Sequence, residues 1–174
     1  MNKTNFKLLV ATTLMGLATH SFADIRMSIG HANSTSTRVP TTNNGWSLAY
    51  DFLSTKNLVQ GLGLEYQIYD ENQKADSSNM INFDYKLGKS FGDKTIAYGI
   101  ISYGFQDIGN EIYNGNVHNF YAKGFGYGAG VQYMVFDKIG FKSEFKRYNL
   151  KYDLQNTNYQ YYINTLTGSL VYRF

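Results

Sequence analysis

The chain has no cysteine and a single proline, Pro40, among 174 residues. Without thiols it can form neither a disulfide nor a thiolate metal site, and cysteine usage says nothing of its compartment. With almost no proline, extended segments run without interruption. Long apolar runs are missing too: after residue 23 nothing approaches the roughly 18 consecutive apolar residues of a membrane helix. One-sided charge is also scarce. The chain carries 16 basic and 13 acidic residues, and setting aside Lys3 and Lys7 of the leader leaves 14 against 13. That balance excludes a nucleic-acid-binding surface built on net charge. What is abundant is Tyr (16), Gly (17) and Phe (12), a composition suited to many strands joined by turns.

The first 23 residues stand apart. Lys3 and Lys7 precede an apolar run from Leu8 to Ala18, and Ser21-Phe22-Ala23 places small residues at −3 and −1 of a cleavage site. This predicts a secretory signal peptide over 1–23, cut before Asp24, and a mature domain over 24–174. The apolar run is too short for a membrane anchor. A mature chain in a membrane must then be a closed β-barrel, in which every backbone polar group is paired without water.

Alternating segments follow one another along the mature chain. Ile25, Met27 and Ile29 oppose Arg26, Ser28 and Gly30; Trp46, Leu48, Tyr50 and Phe52 oppose Ser47, Ala49 and Asp51. Leu58, Leu62, Leu64, Tyr66 and Ile68 oppose Val59, Gly61, Gly63, Glu65 and Gln67. Ile81, Phe83, Tyr85 and Leu87 oppose Asn82, Asp84 and Lys86. In the fifth segment the apolar phase changes from Ile96, Tyr98 and Ile100 to Ile101, Tyr103 and Phe105, which predicts a bulge near Ile100. In the sixth, Tyr121, Phe125, Tyr127, Val131, Tyr133 and Val135 oppose Gln132 and the glycines 124, 126, 128 and 130. No helix follows those glycines, so they read as small lumenal positions and not as a nucleotide loop. In the seventh, Phe141 and Phe145 oppose Lys142, Glu144 and Lys146, and beyond Arg147 the apolar phase flips to Tyr148, Leu150, Tyr152 and Leu154. The last places Leu166, Leu170, Tyr172 and Phe174 against Thr167, Ser169, Val171 and Arg173.

The expectation is an all-β fold: a closed eight-stranded antiparallel up-and-down transmembrane barrel. Short periplasmic turns fall at 54–57, 92–94 and 137–138, longer extracellular loops at 34–44, 70–79 and 106–116, and 156–158 reads as a turn into the last strand. A soluble barrel would also alternate, with its apolar face inward. Here that face carries too much Tyr, Phe, Leu and Trp for a small barrel to enclose, while the opposite face is mostly Gly, Ser, Ala and a few charges. Aromatics also gather at both strand ends. Phe52, Phe91, Phe136 and Phe174 lie by the short turns, and Trp46, Tyr66, Tyr69, Tyr103, Phe105 and Tyr121 by the long loops, as two interfacial girdles.

With the apolar face outward, the lumen receives Arg26, Lys86, Lys142, Lys146 and Arg173 together with Asp51, Glu65, Asp84 and Glu144. Charges in so narrow a space must pair. The expectation is an ion-pair network that plugs the barrel; a gated pore lined by the same groups is the alternative.

The strand-turn-strand from Gly130-Val131-Gln132-Tyr133 to Glu144-Phe145, with the terminal Tyr172-Arg173-Phe174, resembles the small eight-stranded outer-membrane barrels of the OmpA/OmpX type. The resemblance extends over the mature chain. It implies location in the outer membrane of a Gram-negative bacterium; the partners expected there are outer-membrane lipid and lipopolysaccharide, and the chain is expected to be a monomer. It also implies that Glu144 and Glu65 belong to a lumenal ion-pair network, and that Tyr172 and Phe174 form the signal read by the outer-membrane assembly machinery. An extracellular partner would be met through the loops, an adhesin-like use for which the Tyr148–Tyr162 hairpin is the candidate.

Enzymatic chemistry is weakly represented. His31 and His118 are the histidines of the mature chain and make no metal motif. An eight-stranded lipid A deacylase pairs a His with a Ser two residues later; here Phe120 stands at that spacing from His118. No cofactor or metal ligand set is expected, and no enzyme activity. Lys123, Arg147 and Lys151 lie toward the long-loop rim as candidate lipopolysaccharide contacts, with ordinary snorkelling as the plainer reading.

Overall fold

The computed structural model describes residues 24–37, 42–54, 58–70, 78–113, 116–154 and 157–174. The expected signal peptide lies outside the described residues, as do Pro40, most of the 54–57 turn, residues 71–77 of a long loop, and the side chains of His118 and Phe120. Eight strands follow in chain order: β1 Asp24–Ser36, β2 Thr42–Ser54, β3 Leu58–Asp70, β4 Ser78–Phe91, β5 Thr95–Tyr113, β6 Asn116–Met134, β7 Ile139–Leu154 and β8 Thr157–Arg173. Each pairs antiparallel with the next, and β8 returns to β1 to close the barrel. The closing register sets Met27 against Tyr172 and Ile29 against Leu170, and the Phe174 N–H donates to the Ile25 carbonyl at 3.0 Å. Closure leaves no open sheet edge, which is what allows strands to sit in hydrocarbon.

Alternation decides the two walls. Outward positions are large and apolar yet exposed, among them Phe125 (70%), Phe141 (56%) and Leu170 (52%). Inward positions are mostly buried, polar or small at mid-barrel and larger and apolar toward the two ends. A continuous exposed apolar belt around a closed barrel requires a lipid solvent.

The tight turn at 92–94 is as expected, with Gly92 at φ 67°, where a side chain would be strained. Other expectations are corrected. The loops at 34–44 and 106–116 are shorter than anticipated, because β1 runs to Ser36, β2 starts at Thr42, and β5 and β6 extend to Tyr113 and from Asn116. There is no bulge at Ile100: the β5–β6 register is regular from Thr95 to Asp107, and the irregularity falls between Asp107 and Gly109. Ile96, Tyr98 and Ile100 therefore point into the barrel, in phase with Ser102 and Gly104. Nor does β7 flip at Arg147; Tyr148 and Leu150 stay inward, in phase with Lys146. Tyr69 also belongs to the interior, since it shares the parity of Glu65 and Gln67, and its hydroxyl donates to Gln67. Phe52 keeps the outward register but is buried, unlike Phe91, Phe136 and Phe174.

Candidate functional site

The inward side chains form three layers along the barrel axis. Toward the short-turn end lie Leu53, Val59, Ile96, Tyr98 and Ile100. Toward the long-strand end lie Ala32, Tyr69, Met80, Ala122, Tyr148, Leu150, Tyr161 and Ile163. Between them sit seven charged residues, Asp51, Glu65, Asp84, Lys86, Lys142, Glu144 and Lys146, none more than 3% exposed. The apolar layers are made by the same alternation that supplies the charges; only residue type changes with depth.

Each lysine bridges carboxylates from different strands. Lys86 Nζ on β4 lies 2.6 Å from Asp51 Oδ1 on β2 and 2.6 Å from Glu144 Oε1 on β7. Lys142 Nζ is 3.0 Å from Asp51 Oδ2 and 3.7 Å from Glu144 Oε1. Lys146 Nζ reaches Glu65 Oε2 at 2.6 Å, Asp84 Oδ2, and Glu144 Oε2 at 3.4 Å. Such shared contacts are what offset the desolvation of buried ions. Four carboxylates face three ammonium groups, and neutral donors take up part of the excess negative charge. The Tyr98 hydroxyl donates to Glu144 Oε1 at 2.7 Å and the Ser102 hydroxyl to Asp84 Oδ1 at 2.5 Å. The Tyr98 ring also faces Lys86 Nζ, 5.2 Å from its centroid. Oxygens of Glu65, Asp84 and Glu144 converge within 4.8 Å of one another, a spacing that could hold a metal ion. Lys146 is the counter-ion those three share here.

Glycines make the room. A β-carbon on Gly63 would lie 2.6 Å from Asp51 Oδ1, and one on Gly130 would lie 2.7 Å from the Tyr98 ring and 2.9 Å from Glu144 Cγ. The alternate glycines of β6 are thus the space into which the β5 and β7 side chains pack.

Two of the nine expected lumenal charges stand outside this network. Arg26 is buried and pairs in register with Asp51, but both Asp51 oxygens are taken by Lys86 and Lys142. Arg26 turns instead to Asp24 at 3.0 Å, near the short-turn end. Arg173 sits opposite Arg26 and, among the described residues, makes no ion pair. Tyr98 and Ser102 were not anticipated as network members; counting parity back from Phe105 would have placed both inside.

On the outer wall, Tyr172 and Phe174 meet edge to face with centroids 5.0 Å apart, and both are exposed. Lys123, Arg147 and Lys151 all occupy exposed outward positions on β6 and β7. His31 is outward as well, its Nε2 3.2 Å from Asn33 Oδ1 and its ring against Trp46.

The model of the outer membrane protein beta-barrel domain matches residues 7–174. Solved barrels share the architecture at low identity. Ail, the attachment invasion locus protein of Yersinia pestis, superposes with TM-score 0.58 at 15% identity over 88% of this chain and 100% of its own. Neisserial surface protein A gives 0.64 at 13% identity over 87% of this chain and 96% of its own. The N-terminal barrel of Pseudomonas aeruginosa OprF gives 0.56 at 16% identity over 86% and 97%. No curated protein matches the chain by sequence.

Proposed function

The chain belongs to the outer membrane protein beta-barrel domain family and resides in the outer membrane of a Gram-negative bacterium, and from that premise we propose that it is a non-conducting, non-enzymatic scaffold whose long-strand end meets partners outside the cell. The observation that carries this is the three-layered lumen: an ion-paired middle, sealed above and below by buried apolar side chains. Eight strands leave an interior that side chains can fill, and what remains for interaction is the outer end. The similar barrel Ail, named for attachment and invasion, supports the role, and it has been crystallised in complex with the heparin analogue sucrose octasulfate. In this reading the chain acts as a monomer, and Tyr172 with Phe174 is the signal for the assembly machinery.

Planar-bilayer recording tests the plug: the expected trace carries no steady current, and a stable open channel would establish the small-pore alternative. Removing Asp153–Asn158 tests the surface role. That deletion spares Leu150 and Tyr161 of the upper apolar layer, so the barrel should still fold. Loss of cell-surface binding is expected; undiminished binding would end the adhesin-like reading. Overexpression should leave the mass of lipid A unchanged, whereas a deacylated or otherwise altered species would establish an enzyme.

A further inference from the structure

We propose that the short-turn mouth of the lumen is a binding site for a carboxylate presented from the periplasm, with Arg26 and Arg173 as its anion-holding groups. This uses the membrane orientation given above, with the short turns in the periplasm, and is independent of the plug and of the surface role.

Register brings the two arginines together. Arg26 on β1 and Arg173 on β8 are direct cross-strand partners at the seam that closes the barrel, and both share the inward parity of Ser28 and Val171. Directly opposed side chains have β-carbons roughly 5 Å apart, and like charges held there repel. An anion between the two relieves that repulsion.

The protein's own acids leave most of this capacity unused. Asp51, the β2 register partner of Arg26, gives both oxygens to Lys86 and Lys142. Asp24 takes Arg26 Nη2 at 3.0 Å. The Nε and Nη1 donors of Arg26 have no partner among the described residues, although the residue is only 3% exposed, and the Ser28 hydroxyl on the same face is likewise buried without one. Buried donors of a charged group are costly to leave unmade, so Arg26 is aimed at a group that comes from outside. Arg173 is half-buried at the rim and pairs with no described carboxylate; its backbone N–H donates to the Lys138 carbonyl at 2.8 Å. Its planar fork is open to a carboxylate approaching edge-on.

Charge and access select the ligand. Two guanidinium groups and the Asp24 carboxylate leave one positive charge, which a monoanion neutralises and a phosphate dianion exceeds. Inward parity turns both arginines away from the bilayer, so headgroups of the surrounding lipid do not reach them. Leu53 walls the site on β2, and above it lie Val171 and the Asp51–Lys142 pair. Such a blind mouth admits only the tip of a ligand, a carboxylate that lies on the Arg173 fork and shares an oxygen with Arg26. Free acids and the C-terminal ends of peptides both carry this group, and capture of a chain end is a recurring mode of recognition.

The experiment titrates the full barrel in maltoside micelles and follows the arginine Cζ carbon resonances by NMR. The probes are acetate, N-acetyl-trialanine with a free C-terminus, the same peptide as its C-terminal amide, and inorganic phosphate at a mildly alkaline pH where it is a dianion. Both carboxylates should shift the Arg26 and Arg173 resonances saturably, the amide should not, and phosphate should bind several-fold more weakly than the peptide acid. R26Q and R173Q should each lower carboxylate affinity at least tenfold, and R173K, which keeps the charge without the fork, several-fold. Tighter binding of the peptide acid than of acetate assigns the site to peptide ends, and equal affinity assigns it to free acids. Absence of a saturable shift with either carboxylate, equal binding of peptide acid and amide, tighter binding of phosphate, or a folded R26Q/R173Q variant that binds as wild type does overturns the site. Heat-modifiable gel migration reports folding; if R26Q fails to fold, R173Q at the strand end is read alone by the same tenfold criterion.

Discussion

The two faces of β7 make the sharpest contrast in the molecule. Its inward side carries Lys142, Glu144 and Lys146, nearly inaccessible and each ion-paired; its outward side carries Phe141 and Phe145, 56% and 48% exposed. Cations occur on both sides, but Lys146 has three carboxylates around it and Lys151, four residues from Arg147, has another lysine across the strand. One backbone thus serves two solvents, and each face is ordered by what its own surroundings lack: the lumen lacks water for its charges, and the lipid lacks anything to repel Phe. Polarity here is specified by parity, not by segment.

The strongest way to break the contrast is to remove an inner cation. K146M leaves Glu65 and Asp84 without their bridging ammonium, and a loss of about 3–5 kcal/mol is expected in reversible urea unfolding from bilayers. Next is to put a charge on the wrong face. Ser143 is outward and near the middle of the apolar belt, so S143R should cost about 2–4 kcal/mol in bilayers. The same change should cost far less if the wall met water. Crowding the inner face is smaller: G130A pushes a methyl against Tyr98 and Glu144, with about 1–3 kcal/mol lost by the same measurement. Smallest is K151Q alone, an exposed outward substitution expected to stay within about 0.5 kcal/mol of wild type. A large effect there would mean that Lys151 has a structural partner.

Most of the architecture could be read from alternation, because at mid-barrel β1 to β4, β6 and β8 each keep one apolar and one polar or small face. The reading faltered where the inner face itself becomes apolar. Ile96, Tyr98 and Ile100 at one end of the lumen, and Tyr148 and Leu150 at the other, were mistaken for lipid-facing residues. Holding parity constant through Phe105 and Phe145 would have kept them inside. Pairing partners were less accessible. Which carboxylate meets which lysine depends on barrel stagger, as when Lys86 reaches Glu144, 58 positions away in sequence. Arg26 illustrates the limit: its register partner Asp51 is visible from hairpin geometry, yet that carboxylate is claimed from across the lumen.

Those cross-lumen pairs have a consequence for how the barrel is made. Lys146 joins β7 to β3 and β4, and Lys86 joins β4 to β2 and β7. No single hairpin contains a complete set, so a half-built sheet would carry uncompensated ions into hydrocarbon. The interactions that repay desolvation exist only once the wall has curled shut, which selects against stable partial insertion. Strand entry, ion pairing and closure of the β1–β8 seam are therefore expected to report a single kinetic phase to probes placed on opposite sides of the barrel, and a lag between such probes would show that the wall can wait in the membrane unfinished.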